Sequence, residues 1–180
     1  MNVPAPKLEH EIAVVMQVVE QRTVTFMHDE LGLSPASIDR HTHHAKSIVL
    51  RPITAIVGVG SRAGLYIAYS YDLSLIRAMT RRYTSGLGVA DDAEEVWICE
   101  TASDVVNVIV GNSTTDLAKR GELITLSPPV LIAGARTIQG HDESTIAALT
   151  IAYPEGALDI AFVGPRILFD DHLNLQVEVA

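Results

Sequence analysis

Two stretches of the chain resemble one another, AGLYIAYSYD at 63–72 and GALDIAFVGP at 156–165, and each closes a run that reads as a long helix followed by strands. A chain written as two copies of helix, strand, strand has few ways to bury its apolar faces, because each copy leaves a helix stripe and a strand face that need a cover. The expectation is an α+β fold, one antiparallel sheet covered by two long helices, with a pseudo-two-fold repeat of helix-strand-strand units. At 180 residues the chain fits one domain, 1–180, near the size at which folding buries roughly 70% of the unfolded surface.

The elements follow from periodicity and punctuation. In KLEHEIAVVMQVVEQRTVTFMHDELGL the residues Ile12, Val15, Met16, Val19, Thr23, Phe26 and Met27 recur at helical spacing until Gly32 and the Ser34-Pro35 breaker. The polar, His-rich piece from Ser34 to Lys46 reads as a loop or linker. IVLRPITAIVGVGSRAGLYIAYSYD alternates and is β-branched, with Gly60 to Gly64 as the turn between two strands. A short helix runs from Leu73 to about Tyr83 and stops near Ser85-Gly86. Asp91, Asp92, Glu94 and Glu95 suit the positive end of a second long helix, and Lys119-Arg120-Gly121 suit its finish. LITLSPPVLIAGART follows, then the hairpin TIAALTIAYPEGALDIAFVG with Pro154-Glu155-Gly156 as its turn. The tail 166–180, RILFDDHLNLQVEVA, alternates in strand fashion at Leu173, Leu175, Val177 and Val179.

Charge and composition exclude several classes of function. Lys plus Arg number 13 against 22 Asp plus Glu, a formal charge of −9, and no basic run exceeds a pair, so the footprint of a nucleic-acid binder is missing. The single cysteine, Cys99, rules out an internal disulfide. Glu9, His10 and Glu11 interrupt the place where a leader would need an apolar run, and no segment approaches the ~20 apolar residues of a membrane span. A cytoplasmic protein with protein or small-molecule partners is expected, with neither nucleic acid nor membrane among them.

The second long helix carries an unusual line. In ETASDVVNVIVGN, residues 100–112, the polar residues Glu100, Ser103, Asp104 and Asn107, with Gly111, fall within one arc of about 100° when each residue advances about 100°. Ala102, Val105, Val106, Val108, Ile109 and Val110 take the remaining circumference. Such a row suits the solvent face of an amphipathic helix. An ordinary solvent face prefers Lys, Glu and Arg, however, and Asn and Gly each lower helix stability by roughly 0.5–1 kcal/mol relative to Ala. A face that keeps them is expected to touch something, and Gly111 would let a partner's backbone come close.

These residues resemble the CheC/CheX/FliY chemotaxis phosphatases, whose signature is a helix carrying Glu-x-x-Asn, an acid or Ser four residues earlier and a Pro about 22 residues later. Here Asp104-Val105-Val106-Asn107 stands for that motif, with Glu100 four before Asp104, Gly111 at the family's Asn-x-x-x-Gly helix end, and Pro129 twenty-two after Asn107. The order of elements matches from about residue 7 to 165. Two departures stand out: the family's Glu is Asp104, one methylene shorter, and Glu100 occupies a place more often held by Asp or Ser. Helix one has no asparagine, so the resemblance implies one site per chain, as in the CheX branch, whose members pair as homodimers.

The resemblance implies a mechanism as well. Water attacks an aspartyl phosphate on a phosphorylated CheY-like receiver; Asn107 would hold that water, since a side-chain amide both donates and accepts. Asp104, helped by Glu100, would pair with the receiver's lysine. The Mg²⁺ would belong to the receiver, so this chain needs no cofactor of its own. The alternative within the same resemblance is a non-catalytic receiver-binding or flagellar-switch-like module. A homodimer joined through sheet edges is expected, because both hairpins are apolar and the tail offers a further pairing edge.

Other features weigh less. HTHH, with His41, His43, His44 and nearby Asp39, has metal-ligating side chains but no second cluster to complete a site. GVGSRAG at 58–64 imitates a dinucleotide fingerprint, yet a strand follows it where a pyrophosphate needs a helix, so it reads as a hairpin turn. Cys99 has no activating base nearby in sequence and reads as a small core residue. Trp97 lies one position off the polar row, at core or rim.

Overall fold

The structure, a computed structural model, describes residues 5–45, 47–60, 65–87, 94–118, 125–134, 137–139 and 144–165, with side chains omitted at 5–13, 41–45, 144, 145 and 165. Helix α1 spans Ala5–Asp29 and ends where the sequence punctuates it. Gly32, at φ +60°, donates its N–H to the His28 carbonyl, and Leu33 donates to that of Met27. The Gly32 bond is that of an αL helix closure, and the Leu33 that follows it is buried.

The strands are β1 (Ser37–Ala45), β2 (Ser47–Val49), β3 (Ile53–Gly60), β4 (Leu65–Tyr71), β5 (Thr125–Leu126), β6 (Val130–Ala133), β7 (Thr137–Gln139), β8 (Ser144–Tyr153) and β9 (Gly156–Pro165). Helix α2 is Leu73–Tyr83 and α3 is Glu94–Ala118. The main sheet runs β1-β8-β9-β4-β3-β5, antiparallel throughout, and β6 also pairs with β3. The β3–β4 and β8–β9 hairpins are those expected. At the second, Gly156 has φ +143°, and a Cβ there would stand 2.8 Å from the Ser74 hydroxyl, so both backbone and space demand glycine.

The internal repeat is a geometric fact of the sheet. Ala68 pairs with Ala161 at the middle of β4 and β9, and these are equivalent positions in the two similar decapeptides. Strand β1, ahead of the first hairpin, pairs with β8 of the second, while β6, ahead of the second hairpin, pairs with β3 of the first. The small sheet β2–β7 is centred on Ile48 opposite Ile138. Reading the order β1-β8-β9-β4-β3-β6 with the halves exchanged returns it reversed, as a pseudo-dyad requires.

Alternate strand positions divide the core. Val57, Ile67, Tyr69, Ile151, Ile160 and Phe162 face the helices in one continuous cluster. On the opposite face Ala68, Ile146 and Ala161 form a smaller cluster under Ile48 and Ile138 of the β2–β7 sheet. The expected short helix α2 joins the two long helices on the first face, packing against α3 and β9. Its apolar residues Leu75, Ile76 and Met79 are fully buried.

One expectation is overturned. The segment from Ser34 to Lys46 is not a loop: residues 37–45 form edge strand β1. Among the described residues β1 pairs with β8 alone, and an edge strand commonly carries polar and charged residues, so the alternation that betrays a half-buried strand is missing and only Ile38 reports it. Arg40 on this strand bonds Glu20 of α1 through two nitrogens. The tail 166–180 and the turn at 61–64 lie outside the described residues.

Candidate functional site

Helix α3 opens with Glu94 and Glu95 in its first turn, where the helix dipole favours negative charge. Asp91, Asp92 and Lys119-Arg120-Gly121 lie outside the described residues. Ile98, Ala102, Val105 and Ile109 recur at helical spacing and are buried against the sheet. The helix packs on α1, α2, β3 and β6. Arg22 of α1 also donates to Asp116 at 2.5 Å, so α3 is fastened along its length.

The polar row faces outward on this fastened helix. Glu100, Asp104 and Asn107 are exposed, and Ser103 and Gly111 are half-buried. Asn107 stands three residues after Asp104, which puts the amide and the carboxylate on adjacent turns of one face. Such a pair can hold a water through the amide while the carboxylate takes a cation. A Cβ built on Gly111 would meet nothing within 4 Å. Among the described residues no packing therefore calls for this glycine, and the space above it is open.

The exposed face is less purely polar than the sequence suggests. Val108, expected in the core, is 40% exposed, and Val96 is 63% exposed. Four-residue steps explain it: Val96, Glu100, Asp104 and Val108 drift only about 40° per step, so the valines close the two ends of the acidic line.

Pro129 stands on a different element from the row. It is half-buried in the connection between β5 and β6, along the edge of β3. Ser127 donates its N–H to the Gly58 carbonyl at 2.9 Å, and its hydroxyl accepts from the Gly58 N–H at 2.8 Å. The two prolines that follow have no N–H and interrupt the ladder. Pro129 thus lies at a break between two short strands that both pair with β3, beside which α3 packs.

A residue that sequence reasoning missed lies within reach of the charge on Asp104. Tyr83, the last residue of α2, is 37% exposed. Its hydroxyl is pushed up from the ordinary range by burial first, then by the negative charges of Asp104 and Glu30. No local signal in TRRYTSG identifies it, since the charges that act on it belong to α3 and to the turn after α1.

The remaining sequence features resolve simply. The Cys99 thiol is half-buried and held protonated by burial and then by Glu100 and Glu95, the opposite of an activated nucleophile. Trp97 is half-buried at the rim. The side chains of His41, His43 and His44 lie outside the described residues, and among those described no group of three or more His, Cys, Asp or Glu is arranged to hold a metal ion. Among the described residues no helix is long and apolar enough to cross a membrane.

No protein-family model and no curated protein matches the sequence. Solved structures do match the fold. The chemotaxis protein CheX from Desulfovibrio desulfuricans superposes with a TM-score of 0.69 at 16% identity, over 83% of this chain and 98% of that one. CheX of a CheX-CheY-BeF3-Mg+2 complex from Borrelia burgdorferi is similar at 0.63 and 16% identity, over 83% and 96%. FliY from Thermotoga maritima follows at 0.55 and 13% identity, over 97% and 96%. At such identities the likeness is one of architecture, and it extends over nearly the whole of each neighbour: this chain has the fold of the CheX, CheC-like and FliY chemotaxis proteins.

Proposed function

We propose that this chain stimulates the dephosphorylation of a phosphorylated CheY-like response-regulator receiver, in bacterial chemotaxis or related two-component signalling. The observation that carries the reading is the exposure of Asp104 and Asn107 on adjacent turns of the fastened helix α3. The Borrelia burgdorferi neighbour, solved with CheY, supports the choice of partner.

In this reading Asp104 takes the receiver's active-site lysine and sets the docking, with Glu100 one turn back as a second acceptor. Asn107 then reaches into the receiver's acidic pocket. Its amide oxygen accepts from the attacking water while its N–H₂ restricts the rotation of that water, and the oxygen lone pair is aimed along the line of the scissile P–O bond. The phosphoryl group leaves as inorganic phosphate and the receiver aspartate is regenerated. Mg²⁺ neutralises charge on the phosphoryl oxygens and belongs to the receiver. Neither Asp104 nor Asn107 changes protonation, so the chain contributes position and little else.

A second reading keeps the docking and drops the hydrolysis. Asp104 is one methylene shorter than the family's Glu, which favours a receiver-binding module like the flagellar-switch relatives. The lifetime of phosphorylated receiver, measured with purified components, separates the two: acceleration by this chain supports the phosphatase, and binding without acceleration supports the module.

We also propose a homodimer joined through sheet edges. Val130 on edge strand β6 is exposed, as is Tyr66 on the adjoining outer face, and a two-fold pairing of such edges would cover both.

A further inference from the structure

We propose that Val108, Gly111 and Thr115 form the second half of the docking face on α3, an uncharged, low surface that takes a stretch of the receiver's main chain and one apolar side chain beside its phosphoryl pocket. The proposal rests on the receiver reading above and gives that site a direction, acid toward the start of the helix and uncharged contact toward its end.

The helix itself places these residues. With each residue advancing about 100°, Glu100, Asp104, Asn107, Val108, Gly111 and Thr115 fall within one arc of about 100°. All are exposed except Gly111, which is half-buried. Asn107 stands at the border: before it the arc carries two carboxylates. From Asn107 to Ala118 the only charge is Asp116, which turns about 100° away from Thr115. Arg22 of α1 holds it at 2.5 Å.

The hydroxyls beyond Asn107 are turned inward. Ser113 donates to the Ile109 carbonyl at 2.8 Å, and Thr114 and Thr115 both donate to the Gly111 carbonyl, at 2.7 and 3.2 Å. With its donor engaged in the helix, Thr115 has no hydrogen to offer a partner, so covering it strands no donor away from water.

Two of these residues work against the helix that carries them. Gly111 lies inside α3 with a negative φ, and a Cβ there would meet nothing within 4 Å, so neither backbone nor space demands glycine. Glycine there costs helix stability through its freedom in the unfolded chain. Val108 is β-branched and 40% exposed, a poor choice for a solvated helix position. Together they suit contact: a foreign main chain comes nearest to a helix at glycine, and Val108, three residues earlier, stands beside that approach. Gly111 is also one turn past Asn107, ~6 Å along the axis, so a receiver seated on Asp104 and Asn107 reaches it without moving. The two halves select the occupant. A surface with one cation flanked by uncharged main chain fits both at once; a uniformly basic surface leaves the second half unmatched, and an acidic one is repelled by the first.

The test uses the intact chain and a receiver held in its phosphorylated form by beryllofluoride and Mg²⁺. Gly111→Gln is expected to leave the urea midpoint level or higher, because a better helix former enters open space. It should nevertheless raise the Kd about tenfold or more, because the side chain props the two surfaces apart. Val108→Gln should raise the Kd about fivefold with the maximal rate of dephosphorylation within about twofold, and Val108→Ile should bind like the unaltered chain. Thr115→Val should bind within about twofold, since its hydroxyl does not face the partner. Gln21→Ala, at an exposed position of α1, should be silent. A Kd within about twofold for Gly111→Gln or for Val108→Gln, while Asp104→Ala still weakens binding, overturns this inference alone. So does a lowered urea midpoint in Gly111→Gln, which would make the glycine a need of the fold, or a fall in maximal rate at unchanged Kd in Val108→Gln, which would move that residue from docking to chemistry. An unaltered chain that does not bind the loaded receiver overturns the receiver reading and this inference together.

Discussion

Arg51 grips Asp159 with two nitrogens, Nε at 2.7 Å from one carboxylate oxygen and a terminal nitrogen at 3.1 Å from the other, and its second terminal nitrogen reaches Asp72 at 2.6 Å. Asp72 in turn accepts from the Ala157 N–H at 2.9 Å, and Thr150 donates to Asp159 at 2.7 Å. One guanidinium thus joins the start of β3, the entry to α2 and the second hairpin. Arg51 and Asp159 are only partly exposed, so Arg51→Ala leaves two carboxylates facing each other with reduced access to water. Destabilisation of about 2 kcal/mol is expected, less than for a fully buried pair because water screens part of the loss. Urea unfolding measures it, and a double-mutant cycle with Asp159→Asn should show coupling.

Asn107→Ala should lower stimulated dephosphorylation by about 100-fold or more, the usual scale for a lost positioning group, while the Kd for the loaded receiver moves by no more than a few fold. Unchanged turnover in the alanine variant would remove Asn107 from the chemistry.

The short acid makes a separate prediction. Asp104→Glu restores the family's reach and should hold or raise the rate. Asp104→Ala should weaken binding about tenfold and flatten its dependence on salt, because an opposite-charge contact has gone. If Asp104→Ala is neutral and Glu100→Ala is damaging, the docking role moves one turn toward the N-terminus.

Much of this was legible before any coordinates. Helix α1 and the two hairpins announce themselves because their buried faces recur at periods of 3.6 and 2, and the signature residues of α3 follow one another within a single helix. What was hidden depends on the third dimension. Strand β1 has no apolar alternation because Ser37, Asp39 and Arg40 along it are polar and exposed. The β2–β7 strands are three residues each, too short for a period to show. Val108 surfaces because α3 turns it toward the ends of the acidic line, and the charge of Asp104 reaches Tyr83 across twenty-one positions of sequence.

Alkaline pH should find the weak point of the core. Tyr69, Tyr71 and Tyr153 are buried, and burial raises the pKa of each above the free value. Tyr71 and Tyr153 have no hydrogen-bond partner for their hydroxyls among the described residues. In the unfolded chain a tyrosine loses its proton near pH about 10. Below that pH both states are protonated and stability is fully present; above it the unfolded state sheds protons that the folded state retains, so stability falls as pH rises. Urea midpoints should be level up to about pH 9.5 and drop steeply beyond it. Tyr71→Phe should be neutral or stabilising at neutral pH and should soften the alkaline loss, since it removes an unpartnered hydroxyl.

The two-fold model of assembly predicts twice the chain mass in sedimentation equilibrium at micromolar concentration. A mass equal to one chain refutes it. Truncation after Pro165 then asks whether the tail contributes: loss of the dimer with retention of fold assigns it to the contact, and an unchanged dimer assigns the contact to the described strands.

The exchange of β1 and β6 between the halves governs how the protein is born. During synthesis the first half leaves the ribosome with β3 lacking its β6 neighbour, while β1 waits for β8, about a hundred residues later in the chain. Most strand ladders therefore close only after nearly all of the polypeptide is available, which makes folding slow and leaves nascent edges open to other chains. Neither half is a module that evolution or an engineer can lift out: cut between Tyr83 and Glu94, the two pieces should be insoluble apart and should recover structure only when produced together.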